Sequence, residues 1–255
     1  MECLAPWPSD FPNGRIVQEK DRHITLAFLG NIEFEPFMEH LKKIPKPEFS
    51  VGFTGVFNHC HFFPKKKPHV VAWEVDLQKR QKELLKYHQA IEHWLQEGHY
   101  PVDDRPYLPH VTVSRGKFQP SRWKKAFQHL PLLLTDIHLY ESLGSSQYKK
   151  IWTFPLAAPF TEFEHTADIA FVVRGRDERE VLDHAITALA FEFPQILEFV
   201  DEEQTPQNLN DVVMALNQVV GRADAEVGTP FKAVSYHGNL VQLGDYLEWE
   251  MIVDV

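Results

Sequence analysis

His23-Ile24-Thr25-Leu26-Ala27-Phe28-Leu29-Gly30 decides how this chain is read, because its first four residues return as His110-Val111-Thr112-Val113. Each copy runs histidine, β-branched residue, threonine, aliphatic residue, and each sits in a stretch with the composition of a strand. Side chains alternate across a strand, so histidine and threonine two apart share one face while their apolar neighbours point into the core. Two such strands related by a pseudo-two-fold axis would face each other across a cleft. They would present two imidazoles and two hydroxyls to one small, roughly symmetric group. A single His-x-Thr carries little information. Two copies with matching apolar neighbours carry far more.

Working outward, strand character continues in Phe49 to Phe57, His69 to Asp76, Leu132 to Glu141 and Tyr148 to Phe154, all rich in β-branched and aromatic residues. Helical spacing marks Phe34 to Ile44 and the longer run from Leu77 to Gly98. In the longer run Leu84, Leu85, His88, Ile91, Trp94 and Leu95 line one face, and Gly98 stands where a helix ends. Leu156 to Thr161 reads as a short linker. Beyond it, Phe163 to Gly175 has strand character, and Asp177 to Phe193 is an amphipathic helix with acids in its first turn. Leu209 to Val220 is a second helix, and two or three strands finish the chain from Phe231 to Val255. The expectation is an α+β protein with domains over 1–157 and 158–255.

The charge divides along the same line. Residues 1–150 hold 21 Lys and Arg against 17 Asp and Glu, a net of +4, whereas residues 151–255 hold 5 against 19, a net of −14. Such a jump marks two modules with different partners. The mildly basic half suits a polyanion; the acidic half would repel one but suits a metal or a basic protein surface. The two cysteines, Cys3 and Cys60, are too few for a disulfide framework and fit a reducing compartment. Residues 1–12 are broken by prolines and carry no signal-peptide pattern, and no apolar run approaches bilayer length. The expected setting is the cytoplasm, with no membrane.

Two histidines and two threonines around one small anion suit a cyclic phosphate. Opening its ring needs a base to deprotonate water and an acid to protonate the departing ribose oxygen. Histidine serves either role near neutral pH. Threonine hydroxyls can bond the non-bridging oxygens, whose charge rises in the transition state. No metal is required for that half.

The two motifs, HITLAFLG and PHVTVSR, resemble the 2H phosphoesterase family, and within it the RNA 2′,3′-cyclic phosphodiesterases (2′-5′ RNA ligase-like proteins). The likeness covers roughly residues 1–155. It implies a bilobal fold with two sheets flanking a cleft, His23 as general acid, His110 as general base and a 2′-phosphate product. Arg115 matches the place of a basic residue on the RNA or phosphate.

In the acidic half, Glu164 to Asp168, Lys232 to His237 and Ile252 to Val255 resemble archease, the small protein that assists RtcB-type RNA ligases. The resemblance implies a divalent cation held by Asp168, Asp254 and the carboxylate of Val255. Oxygen ligands suit Ca²⁺, Mg²⁺ or Mn²⁺ rather than zinc. One half would then process cyclic phosphate ends, and the other would serve the enzyme that seals them. Two alternatives stay open: a non-catalytic RNA-end-binding cofactor of the ligase, and a cyclic phosphodiesterase acting on a small nucleotide.

His59-Cys60-His61 lacks further ligands at metal spacing and reads as a turn between strands. Lys65 to Lys67 read equally well as phosphate contacts and as a solvated loop. The sequence has no phosphate-binding glycine loop, serine nucleophile elbow or cysteine-based zinc pattern.

Overall fold

A computed structural model describes residues 1–164, 168–201 and 204–255. Its strands are β1 (Cys3–Leu4), β2 (Arg15–Ile16), β3 (Phe53–Phe63), β4 (Val70–Asp76), β5 (His110–Arg115), β6 (Pro131–Leu134), β7 (Ile137–Gly144), β8 (Gln147–Phe154), β9 (Phe160–Phe163), β10 (Ile169–Gly175), β11 (Ala233–Ser235), β12 (Val241–Leu243) and β13 (Tyr246–Asp254). The helices are α1 (Phe34–Leu41), α2 (Gln81–Glu97), α3 (Pro120–Ala126), α4 (Glu178–Glu192) and α5 (Leu209–Val227). The architecture is mixed α and β with several antiparallel sheets.

A six-stranded sheet in the order β1-β6-β3-β4-β5-β2 forms the centre of the first half. Its core gathers Phe53, Phe57, Trp73, Val111, Trp123 and Leu132, all fully buried. Alternation explains the packing: Val71, Trp73 and Val75 point into this core, while Glu74 and Asp76 on the same strand are partly exposed. Helix α2 buries Leu84, Tyr87, His88, Ile91, Trp94 and Leu95, so Tyr87 rather than Leu85 completes the apolar stripe. The helix ends at Gly98, and His99 just beyond it takes the left-handed turn, with φ +60°.

A five-stranded sheet, β11-β13-β10-β9 with β12 on β13, carries α4 and α5 in the second half. Asp177 caps α4 by accepting from the Glu180 amide at 2.8 Å, and Asn208 caps α5 by accepting from the Asp211 amide at 3.1 Å. The second core runs from Phe160 to Val253 and takes in Leu133 of β6. Across the seam, Arg80 Nη1 lies 2.7 Å from Glu180 Oε1, and Arg176 Nη2 donates to Glu83 at 2.8 Å.

Several expectations are corrected. Residues 23–30 do not form a strand: His23 and Ile24 make single bridges, to Glu2 and Val111, and the chain then runs irregularly to a left-handed turn at Gly30, φ +66°. Phe28 is 75% exposed, so nothing on that side holds the segment in a sheet. Two sheets flank the cleft, and they are unequal in size. Its second wall is the two-stranded β7–β8 hairpin. His59-Cys60-His61 is not a turn: β3 runs on through it, with a bulge between Phe57 and His59 that keeps the ladder to β4 intact. The strand read from Leu132 to Glu141 breaks into β6 and β7 at Thr135-Asp136, where the Asp136 carboxylate accepts from the Leu156 amide at 3.0 Å. The linker read at Leu156 to Thr161 is ordered, with Ala157 bridging to Val51 and Phe160 opening β9. Among the described residues, no helix is long and apolar enough to cross a membrane, and both cysteines are free thiols.

Candidate active site

The bridge between Ile24 and Val111 is antiparallel. The bridge is isolated: His23 bridges Glu2, and Thr25 belongs to no bridge. Both β-branched residues of the pair are fully buried, and the four polar side chains line one cleft of about 630 Å³. Arg115, at the end of β5, lines it too.

Both imidazoles are oriented by the same device. His23 Nδ1 lies 2.8 Å from the Asp21 carbonyl, and His110 Nδ1 lies 2.7 Å from the Leu108 carbonyl. A carbonyl only accepts, so Nδ1 carries the hydrogen in each ring and Nε2 is left for the cleft. Burial pushes the His23 imidazole from 6.5 down to about 4. Burial also lowers His110, and the Arg115 guanidinium acts in the same direction on both rings. At neutral pH, His23 and His110 are therefore neutral beside the Arg115 cation.

The hairpin wall contributes residues that the motifs do not reveal. His23 packs against Tyr140, ring centroids 5.0 Å apart, and edge-on against Tyr148 at 4.8 Å. Asp21 is buried and lines the cleft, and its Oδ1 accepts from the Tyr148 amide at 3.2 Å. Its Oδ2 is buried with no hydrogen-bond partner. The Asp21 charge favours protonated His23, against the larger effect of burial. The one sequence signal for this wall was the alternation of His138 and Tyr140 along a strand, which by itself names no site.

In the second half, Ile169 pairs with Val253, so Asp168 and Asp254 lie at the same end of the β10–β13 pair. Lys232 Nζ donates to the Val255 main-chain oxygen at 2.5 Å. An ammonium on that oxygen competes with any cation for it. Among the described residues, no three His, Cys, Asp or Glu side chains cluster closely enough to hold a metal. His165, Thr166 and Ala167 of the Glu164 to Asp168 motif lie outside the described residues.

No family model matches the chain. A protein named RNA 2′,3′-cyclic phosphodiesterase from Thermotoga maritima is 27% identical over 117 residues, 45% of this chain and 60% of that one. A protein of the same name from Geobacillus stearothermophilus is 29% identical over 165 residues, 58% of this chain and 49% of that one. The chain thus spans about half to three-fifths of the length of these curated relatives. Among solved structures, E. coli LigT in apo form aligns with a TM-score of 0.43 at 20% identity, over 56% of this chain and 81% of that one.

Proposed function

We propose that the cleft hydrolyses 2′,3′-cyclic phosphate ends of RNA to 2′-phosphomonoesters. The observation that carries this reading is the Ile24–Val111 bridge, which turns two distant His-x-Thr motifs into one pocket with two imidazole Nε2 atoms facing inward. The names of the curated relatives agree with it.

His110 acts as general base: its Nε2 takes a proton from water as the water oxygen bonds to phosphorus. His23 acts as general acid: as the bond from phosphorus to the 3′ oxygen breaks, His23 Nε2 delivers a proton to that oxygen. A 2′-phosphate and a 3′-hydroxyl result. Thr25 and Thr112 donate to the non-bridging oxygens, and Arg115 balances their charge. Burial opposes protonating His23, so the acid needs the phosphate anion itself, helped by Asp21, to raise its affinity for a proton.

For residues 158–255 the resemblance to archease points to a divalent cation at Asp168, Asp254 and the Val255 carboxylate and to an RNA ligase partner, and the placement of Asp168 and Asp254 at one end of the β10–β13 pair supports the cation.

The test is incubation with an oligonucleotide ending in a 2′,3′-cyclic phosphate, in excess EDTA, beside His23→Ala and His110→Ala. Conversion to the 2′-phosphate by the unaltered protein alone is expected. RNA bound without turnover would replace this reading with an end-recognising protein.

A further inference from the structure

The cleft does not end at His110. Strand pairing sets Glu74 beside His110, Ala72 beside Thr112 and Val70 beside Arg115, and β3 sets Phe63 beside Val70 and His61 beside Ala72. Paired residues share a face of a sheet, so Phe63 and His61 lie on the same face as the active-site histidine. Ring geometry agrees. Phe63 and His110 have centroids 5.7 Å apart, and His61 stacks on Phe63 at 5.7 Å with 11° between planes. Glu74 Oε2 fixes the His61 ring from 2.6 Å.

The turn that follows carries exposed Lys65, Lys66 and Lys67. It is tied to the end of β5, where the Gly116 amide donates to the His69 carbonyl at 2.8 Å. No acidic residue occurs between Asn58 and Trp73, or between Pro106 and Thr135. Glu74, an acidic residue of β4 on this face, is engaged by its bond to His61.

We propose that single-stranded nucleic acid upstream of the reacting end runs from the cleft over this face, stacking bases on Phe63 and His61 and placing phosphates at Lys65 to Lys67. This rests on the phosphodiesterase reading of the cleft and names its substrate as a polynucleotide rather than a free cyclic nucleotide. Aromatic platforms beside a basic edge are how single strands are held without regard to sequence.

The experiment compares two substrates, an oligonucleotide of roughly ten nucleotides with a 2′,3′-cyclic phosphate end and a 2′,3′-cyclic mononucleotide. The variants are the triple Lys65→Gln, Lys66→Gln, Lys67→Gln, and Phe63→Ala beside Phe63→Tyr. The triple variant is expected to raise KM for the oligonucleotide and leave the mononucleotide unchanged. Its slope of log affinity against log salt should flatten by about 2, at roughly 0.7 for each phosphate that a lysine no longer neutralises. Phe63→Ala should weaken the oligonucleotide roughly tenfold, a stacking loss, with Phe63→Tyr near the unaltered protein. Equal losses on both substrates, or none, would overturn the track. Affinity for a 3′-hydroxyl oligonucleotide, which has no ring to open, is measured on the same proteins. If neither cyclic substrate turns over, the phosphodiesterase reading fails, while an affinity loss confined to these variants still supports the track and no loss removes it.

Discussion

Ile24 and Val111 form a single antiparallel bridge, and beside it the two histidines and two threonines line one cleft. The two histidines differ in their surroundings. His23 lies under the Tyr140 and Tyr148 rings and near Asp21, whereas His110 lies beside Phe63 and Glu74.

The threonines give the first prediction. Thr25→Val and Thr112→Val keep shape and β-branching but remove the hydroxyl. Each should lower kcat by roughly 10²-fold, the cost of removing one donor to a developing oxyanion, while serine at either position restores most of the rate. The comparison is kcat on the cyclic-phosphate oligonucleotide. Valine variants as fast as the unaltered protein would remove the threonines from the transition state.

Protonation gives the second. Turnover needs one imidazole charged and one neutral, yet burial holds His23 near 4 and His110 below its usual 6.5. Above both values the singly charged form declines tenfold per pH unit. The kcat/KM profile, which reports the free protein, should peak on the acid side of 6.5 and fall through neutrality. The bound anion favours protonated imidazole, so the kcat profile should fall at higher pH. Asp21→Asn removes a charge that favours protonated His23 and should move the kcat/KM optimum further to acid. A kcat/KM that climbs from pH 6 to 8 would contradict the assignment.

The histidine motifs were legible because each is local, four residues whose alternation sets the two polar side chains on one face. The stripe of α2 was legible for the same reason, since Leu84, His88, Ile91 and Leu95 recur at helical spacing. What escaped the sequence depends on contacts distant along the chain. Tyr148 reaches Asp21 across 127 positions, and no periodicity announces that meeting. The run after His23 has a strand's composition but no partner strand beyond Ile24, so pairing overrode propensity. His59 to His61 resembled a turn because its polar residues interrupt an apolar run. A bulge instead lets β3 carry them in register with β4.

A third prediction concerns stability against pH. His184 is buried in the second core, donates from Nδ1 to the Arg174 carbonyl, and is held by burial near 4 rather than 6.5. Its folded-state affinity for protons is lower than in the unfolded chain. Below 6.5 the unfolded chain binds the extra proton, so stability is full above 6.5 and is lost as pH falls toward 4. A depression of this size is worth on the order of 3 kcal/mol. His23 adds loss in the same window. Urea unfolding at pH 7.5 and 4.5 measures the difference, and His184→Gln should shrink it while lowering stability at pH 7.5. An unchanged difference in that variant would assign the acid loss to other groups.

The fourth prediction tests the seam between the two cores. Arg80 and Glu180 pair at 2.7 Å with side chains only 11% and 7% exposed, and Arg80 also donates to the Gly52 carbonyl and lies over the Phe53 ring at 4.2 Å. Removing Glu180 leaves Arg80 with Glu83, 3.1 Å away, as its remaining carboxylate, so the cost falls below the roughly 3–5 kcal/mol of a wholly unpaired buried charge, whereas replacing both partners with apolar groups is often near neutral. Glu180→Ala should therefore destabilise the protein more than Arg80→Met with Glu180→Leu together. Arg176 Nε donates to Glu180 at 3.0 Å and loses that partner in either case, so the double variant keeps a residual cost. Urea midpoints of the three proteins decide the matter. A double variant as unstable as Glu180→Ala would mean that the seam depends on the ion pair itself and not on avoiding a buried charge that has lost one of its two carboxylate partners.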